Sequence, residues 1–353
     1  VRIPCQGALS NTLILSVALA AAPFLGSPLV AQELPRVLVI ATGGTIAGQA
    51  TGDQLTGAQI VEAVPQLAEI AQIEVEEFSR VGSSAITPDH WVRLSRRINE
   101  IFDTDPDLAG LIVTHGTDTL EETAYFLHLT VDDTRPVVMV GSMRNSSAVS
   151  ADGPANLLSG SRVVVSPAAH GRGVLVVLND EIHSARDVRK TDNNRLNTFV
   201  SREWGTLGIV DADRVVFRRS PETRHTVSSE LHLLPGTTEL PDVPVVADFA
   251  GNDARLLLAA HANGARAIVV QAFGGGRASP LIRDAYAQIA ETGVPVLLAS
   301  RVPEGRVMGT AGGSDSGLVY AGDLSPHKAR ILLMLALQRP TSVAQLQRLI
   351  DRH

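Results

Sequence analysis

Cysteine is all but absent: the 353-residue sequence carries one, Cys5. No disulfide can form within the chain, so a packed core and not cross-links must hold the fold. Aromatic residues are sparse at 4%, and the only tyrosines are Tyr125, Tyr286 and Tyr320. Long basic runs are missing and the formal charge is −7. That leaves no clustered Lys/Arg footprint for DNA or RNA, and no nucleic-acid partner is expected. Beyond residue 31 no apolar stretch approaches the roughly 20 residues that a membrane helix needs. His115, His170, His183 and His225 stand singly, without the spacing of a ligand pair such as HExxH, so no metal is expected. Internal repeats and low-complexity tracts are also lacking.

What is present suits a packed enzyme-sized protein: 44% hydrophobic and 19% charged residues, in a chain long enough for two domains. Residues 1–31 stand apart. Arg2 precedes an apolar run from Leu13 to Leu25, broken by Ser16 and Pro23, and Leu29-Val30-Ala31 comes just before Gln32. This is the layout of a cleaved signal peptide, which implies a periplasmic or secreted protein with no membrane association after processing. Cys5 would leave with it.

From residue 36 short apolar runs alternate with helical spacing. Val37 to Ala41, Ile73 to Phe78, Leu111 to Thr114, Val137 to Val140 and Val174 to Leu178 read as buried strands, and Ile60-Val61, Val64 and Leu67-Ala68 as one helix face. A larger, doubly wound, mostly parallel α/β domain over 36–222 follows. Residues 223–241, with Pro235 and Gly236, read as a linker. A smaller C-terminal α/β domain over 242–353 resumes with strands at Val245 to Ala247, Ala267 to Val270 and Val294 to Leu298, and closes with two helices.

Ligands of an open parallel sheet gather at the carboxyl ends of its strands. Ala41-Thr42-Gly43-Gly44-Thr45-Ile46-Ala47-Gly48 leaves the first strand. Its paired glycines allow a sharp turn and bring backbone N–H groups to a ligand, as an oxyanion requires, although a plain tight turn would need them too. They do not fall at GxGxxG spacing, which removes the main support for a nucleotide-dependent oxidoreductase. Thr114-His115-Gly116-Thr117-Asp118-Thr119-Leu120-Glu121-Glu122 leaves the third strand. Thr119 with Glu122 fits a capping box, but that does not explain Thr117 beside Asp118, a hydroxyl and a carboxylate suited to a water and an ammonium. The loops at 143–154 and 186–191 are also rich in polar residues, and Lys190 taken alone reads as a surface lysine.

These two motifs, with Ser150-Ala151-Asp152-Gly153-Pro154, the run Gly173 to Asp180 and Ser300-Arg301-Val302-Pro303, resemble the bacterial type II L-asparaginases and glutaminase-asparaginases over essentially the whole chain after the leader. The resemblance implies that Thr45 attacks the side-chain amide of free L-asparagine, giving an acyl-enzyme that water hydrolyses to aspartate and ammonia, with no cofactor. It implies a second catalytic group of Thr117, Asp118 and Lys190, in which a partly desolvated lysine polarises the threonine hydroxyl and Asp118 also holds the substrate's α-amino group. Gly44, Ser83 and Ser84 would complete the substrate seat, Ser83 by binding the α-carboxylate. The resemblance also implies a homotetramer whose sites lie between subunits.

The sequence departs from that pattern in three places. Gln49 to Gly57 is shorter than the family's mobile lid and lacks its tyrosine. Ser84 stands where glutamine is usual. The neighbouring subunit's asparagine and glutamate correspond to Ala250-Gly251-Asn252-Asp253, with Asn252 one place out of register, and to a stretch from Met308 to Gly317 without glutamate. Two alternatives follow: a glutaminase-asparaginase of broader amide specificity, or an exported amino-acid-binding homologue of reduced activity.

Overall fold

The computed structural model describes residues 1–2, 33–309 and 317–353. The expected leader with Cys5, and most of the glycine-rich stretch from Met308, lie outside the described residues.

The five apolar runs form β1 (Arg36–Ala41), β2 (Gln72–Glu77), β3 (Leu108–Thr114), β4 (Val137–Val140) and β5 (Val174–Leu178). Between them lie α1 (Gly57–Glu62), α2 (Pro88–Thr104), α3 (Leu120–Thr130) and α4 (Gly153–Val164). The strands pair in parallel in the order β2-β1-β3-β4-β5. Burial explains why β1, β3, β4 and β5 read as continuous apolar runs. β2 is not the buried strand expected, because it lies at the sheet edge and alternates half-buried Ile73 and Val75 with the polar Gln72, Glu74, Glu76 and Glu77. Val37, Val39, Ile112, Val138, Val140, Leu175 and Val177 pack on one face with α1 and α4. Ile40, Leu111, Val113, Met139, Val174 and Val176 pack on the other with α2 and α3.

One segment differs from the expectation. The face at residues 60–68 is not one helix: α1 ends at Glu62, and Pro65–Glu69 form a separate 3-10 turn. Pro65 has no N–H to continue the ladder, so a new turn starts at its position. The chain also adds strands that apolar runs did not signal: β6 (Glu181–Ser184), a small pair β7 (Arg189–Lys190) and β8 (Phe199–Val200), then β9 (Gly208–Val210) and β10 (Val215–Phe217). β6, β9 and β10 extend the large sheet antiparallel beyond β5. At three or four residues each, they are too short to show a period.

The second sheet is wholly parallel, in the order β11 (Val245–Ala247), β12 (Ile268–Ala272), β13 (Val296–Ser300) and β14 (Leu318–Tyr320). α5 (Arg255–Ala262) and α6 (Pro280–Glu291) cover one face through Leu257, Ile282 and Ile289. On the other face lie α7 (Pro326–Ala336) and α8 (Val343–Arg352). Ile331 to Leu335 of α7 join Val269 and Leu297 to Leu120, Phe126 and Leu127 of α3 in one core. The helix that follows the Thr117–Asp118 loop is therefore packed directly on the smaller domain.

Candidate active site

The strand order reverses between β1 and β3, the place where a sheet of this kind gathers its ligands at the carboxyl ends of the strands. Glycines set how closely the loops approach. Gly43 and Gly44 have φ of +96° and +87°, where a Cβ is strained. A Cβ on Gly44 would lie 2.3 Å from the N and Cα of Gly116, and one on Gly116 would lie 2.6 Å from Oγ of Ser83. Backbone thus meets backbone, and the loops after β1, β2 and β3 form one surface. Thr45 and Thr117 each follow the crossing by a single residue. Thr42 Oγ1 donates to the Thr114 carbonyl at 2.8 Å, and Ser79 Oγ to the Thr42 carbonyl at 2.9 Å, fastening the same loops one layer deeper.

Lys190 arrives from far along the chain on the β7–β8 pair. Its Nζ donates to Thr117 Oγ1 and to Asp118 Oδ1, both at 2.9 Å. Thr117 is buried, the Lys190 side chain is 19% exposed and that of Asp118 is 64% exposed. A cation is held between a buried hydroxyl and an open carboxylate whose other oxygen accepts no hydrogen bond from the described residues. The Asp118 N–H donates to Ser83 Oγ at 3.1 Å, so Ser83 is seated against the same turn. Gly44, Ser83, Thr117, Asp118 and Lys190 are thus joined by close approaches and hydrogen bonds, and Thr45 follows Gly44 directly. Ser84 is exposed. Thr45, half-buried, makes no side-chain hydrogen bond to a described residue.

Asn252 is not brought there within one chain. It is buried after β11, where its Nδ2 donates to the Ala247 carbonyl and to Asp248 Oδ1, each at 3.2 Å, and its Oδ1 accepts from Ala254 N at 3.1 Å. These bonds hold its own loop together.

One expectation about side chains needs correcting. Thr119 is the N-cap of α3 but forms no capping box. Its hydroxyl is turned toward the neighbouring loop, where it donates to the Ser83 carbonyl at 2.7 Å. The lid after Gly48 is a closed hairpin: Gly48 bridges Gln54, and Gln49 N donates to the Asp53 carbonyl at 2.9 Å. Ser146 caps it, its Oγ donating to the Gly48 carbonyl at 2.8 Å. Tyr125 does not replace the missing tyrosine: it is buried in α3 and its hydroxyl donates to the His353 carbonyl at 3.3 Å.

His115, the other unexplained member of the second motif, works beneath the site. Trp91 Nε1 donates to Thr123 Oγ1 at 2.9 Å, Thr123 pairs with His115 Nε2 at 3.0 Å, and His115 Nδ1 pairs with the Gly116 carbonyl at 2.7 Å. That chain is consistent only if Nδ1 carries the proton and Nε2 accepts. Burial pushes His115 down to about 4, so it stays neutral and holds the carbonyl at the glycine crossing. Glu121 is a residue that sequence reasoning missed: its Oε2 accepts the Lys190 N–H at 3.3 Å. Its place three residues after Asp118, on the first turn of a helix leaving the site, was the only sign of this in the sequence.

Comparison with known proteins fits this geometry. A family model described as "Asparaginase, N-terminal" matches residues 36–223, and one described as "Glutaminase/Asparaginase C-terminal domain" matches 242–350. The chain belongs to the asparaginase family. It is 39% identical to L-asparaginase 2 of Bacillus subtilis over 325 residues, covering 90% of this chain and 86% of the relative. It is also 39% identical to a probable periplasmic L-asparaginase of Haemophilus influenzae over 318 residues, covering 87% of this chain and 90% of the relative. The crystal structure of a probable cytoplasmic L-asparaginase from Campylobacter jejuni superposes with a TM-score of 0.86 at 35% identity, covering 90% of this chain and all of that one. In this asparaginase, then, the loops that leave β1 and β3 are the ones on which the family resemblance rests most heavily.

Proposed function

We propose that the protein is an L-asparaginase that hydrolyses the side-chain amide of free L-asparagine to L-aspartate and ammonia, with Thr45 as nucleophile. The carrying observation is the Lys190 ammonium, within 2.9 Å of both Thr117 Oγ1 and Asp118 Oδ1, one residue from the contact between Gly44 and Gly116. Thr45 Oγ attacks the amide carbon, and the amide nitrogen leaves as ammonia with the hydroxyl proton. Water polarised by Thr117 and Lys190 then attacks the threonine ester, releasing the new carboxylate and restoring Thr45. The free oxygen of Asp118 meets the substrate ammonium. Ser83 Oγ, whose lone pair takes the Asp118 N–H, has its proton left for the α-carboxylate, with Ser84 at the rim. The Gly44 backbone lies where the oxyanion develops.

Broader amide specificity, taking L-glutamine as well, is the second reading. It draws on Ser84, where glutamine is usual, and on the trimmed lid between Gln49 and Gly57, two departures that leave the choice between asparagine and glutamine open. The remaining assignments rest on the family. Residues 1–31 are removed on export to the periplasm or medium, residues 223–241 link the two domains, and the enzyme is a homotetramer in which Asn252 lies toward a neighbouring subunit's site. Phe249, Leu256, Leu281 and Met308, exposed on the smaller domain, are apolar surface suited to that assembly.

The test is ammonia release from asparagine and glutamine by the purified protein and its Thr45→Ala variant, with the mass in solution taken by light scattering. Thr45-dependent release and a mass of four chains are expected. Binding of asparagine or aspartate without release would sink the catalytic reading and leave an amino-acid-binding protein.

A further inference from the structure

Lysine is the scarcest cation in this chain: of 30 basic residues only Lys190 and Lys328 are lysine, and all the others are arginine. Lys190 belongs to the site. Lys328 lies in the other domain, on the first turn of α7, and is 1% exposed. No carboxylate among the described residues pairs with it. Its Nζ donates to the carbonyls of Arg186, at 2.7 Å, and Val188, at 2.6 Å, and lies 5.9 Å from the centre of the Tyr125 ring.

A buried ammonium without a counter-ion is costly, and burial pushes Lys328 down to about 8. Glu121 and Asp187, charged but not in contact, offset part of that cost, and two carbonyls and an aromatic face make the direct contacts. Both carbonyls belong to the few residues that lead into Lys190. The same segment is gripped on either side of those bonds. Arg186 forms a bidentate pair with Asp323, at 2.8 and 2.9 Å, and Arg189 Nη2 donates to the Asp323 carbonyl at 2.7 Å. From the larger domain, Glu121 Oε2 accepts the Lys190 N–H at 3.3 Å. The backbone from 186 to 190 is thus clamped between the smaller domain and α3, and the side chain at its end meets Thr117 and Asp118.

We propose that Lys328 is a positioning residue for the Thr117–Lys190–Asp118 group, fixing from the smaller domain the strand on which Lys190 stands. The proposal rests on the reading that Lys190 serves the reaction. Lysine suits the task because a compact ammonium on a flexible stem fits between two carbonyls in a closed space that a planar guanidinium would overfill. Without those two bonds the 186–188 backbone is free to shift, and a displacement of about 1 Å at a reacting group costs up to roughly 100-fold in rate.

The experiment compares Lys328→Met, Lys328→Gln, Lys190→Met and the double variant Lys190→Met/Lys328→Met, each checked for folding by circular dichroism and assayed with asparagine. Lys328→Met is expected to lower kcat by roughly 10- to 100-fold while KM stays within about twofold. Lys328→Gln, which keeps an amide donor on a shorter stem, recovers part of the loss. The double variant is expected to be no slower than Lys190→Met alone, since a positioning residue has nothing left to position. A folded Lys328→Met enzyme with wild-type kcat, or losses that multiply in the double variant, would overturn the proposal. Should the methionine variant not fold, Lys328→Gln is judged by the same two criteria. A wild-type kcat in Lys190→Met would instead bring down the reading of the active site, and that variant alone reveals it.

Discussion

Gly44 and Gly116 show how much of this site depends on what two residues lack. Their backbones touch because neither carries a Cβ, and the hydroxyls of Thr45 and Thr117 start from that contact. Alanine at Gly44 places a methyl group 2.3 Å from the Gly116 backbone at a φ of +87°. Strain and overpacking together cost roughly 2–5 kcal/mol. Gly44→Ala is therefore expected to abolish ammonia release and to lower the unfolding midpoint in urea; a stable, active variant would show that the loops do not need to touch. At this scale the sequence was legible for Thr45, Thr117 and Asp118, which stand in motifs. It was not legible for Lys190, which reads as a surface lysine until the chain brings it to Thr117 and Asp118. Lys328 gave no sign at all, since nothing in a sequence separates a buried lysine from a solvated one.

At the scale of elements, the three loops after β1, β2 and β3 are tied by side chains whose partners lie outside their own segment. Thr119 had the spacing of a capping box, but its hydroxyl goes to the Ser83 carbonyl at 2.7 Å. A capping box would have aimed the hydroxyl oxygen at the Glu122 N–H, whereas the bond to the Ser83 carbonyl turns the hydroxyl toward the neighbouring loop. Thr119→Val removes that bond at nearly constant volume and is expected to cost about 1 kcal/mol. Because Ser83 lies in the proposed carboxylate seat, the loss should appear as a KM for asparagine raised about fivefold, with kcat changed less. A variant that loses kcat and keeps KM would argue that the Ser83 turn serves the reacting centre instead. The lid follows the same logic. Its shortness and lack of tyrosine could be read from the sequence, but its fastening to Ser146 could not, since that partner lies about a hundred residues away.

Across the described residues, burial lowers the pKa of four histidines, His115, His128, His225 and His353. His115 is pushed down to about 4 by burial. His128 is lowered by burial and then by neighbouring His225, and His225 by burial and then by His353. His353 is lowered by burial. All four have folded-state values below the ordinary value near 6.5, so above it both states are uncharged and stability is at its full level. As pH falls below 6.5 the unfolded chain takes up protons that the folded one refuses, and stability declines by up to roughly 1.4 kcal/mol per pH unit for each group. His115 alone accounts for about 3 kcal/mol by pH 4. Glu122, raised by burial, acts in the opposite sense and offsets part of this. Urea unfolding between pH 7.5 and 4.5 should show a midpoint that is flat above pH 6.5 and falls below it. A midpoint that rises on acidification would mean that the histidines are not the controlling groups.

The sequence by itself determined the layered α/β architecture, because strands buried on both faces must be apolar, and β1, β3, β4 and β5 are such runs, with β2 alternating as an edge strand does. It also marked the loops after β1 and β3 as the candidates for the site, because glycine pairs and threonine–aspartate steps have local meaning wherever a strand ends. Tertiary structure alone decided the partnerships: Gly44 against Gly116, Lys190 between Thr117 and Asp118, Lys328 beneath the strand that bears Lys190. Each joins residues dozens to more than a hundred positions apart. Hydrophobic periodicity tells which face of an element is covered, but hydrogen bonds and backbone contacts depend on distances of a few ångströms. Those exist only once the two sheets share a core.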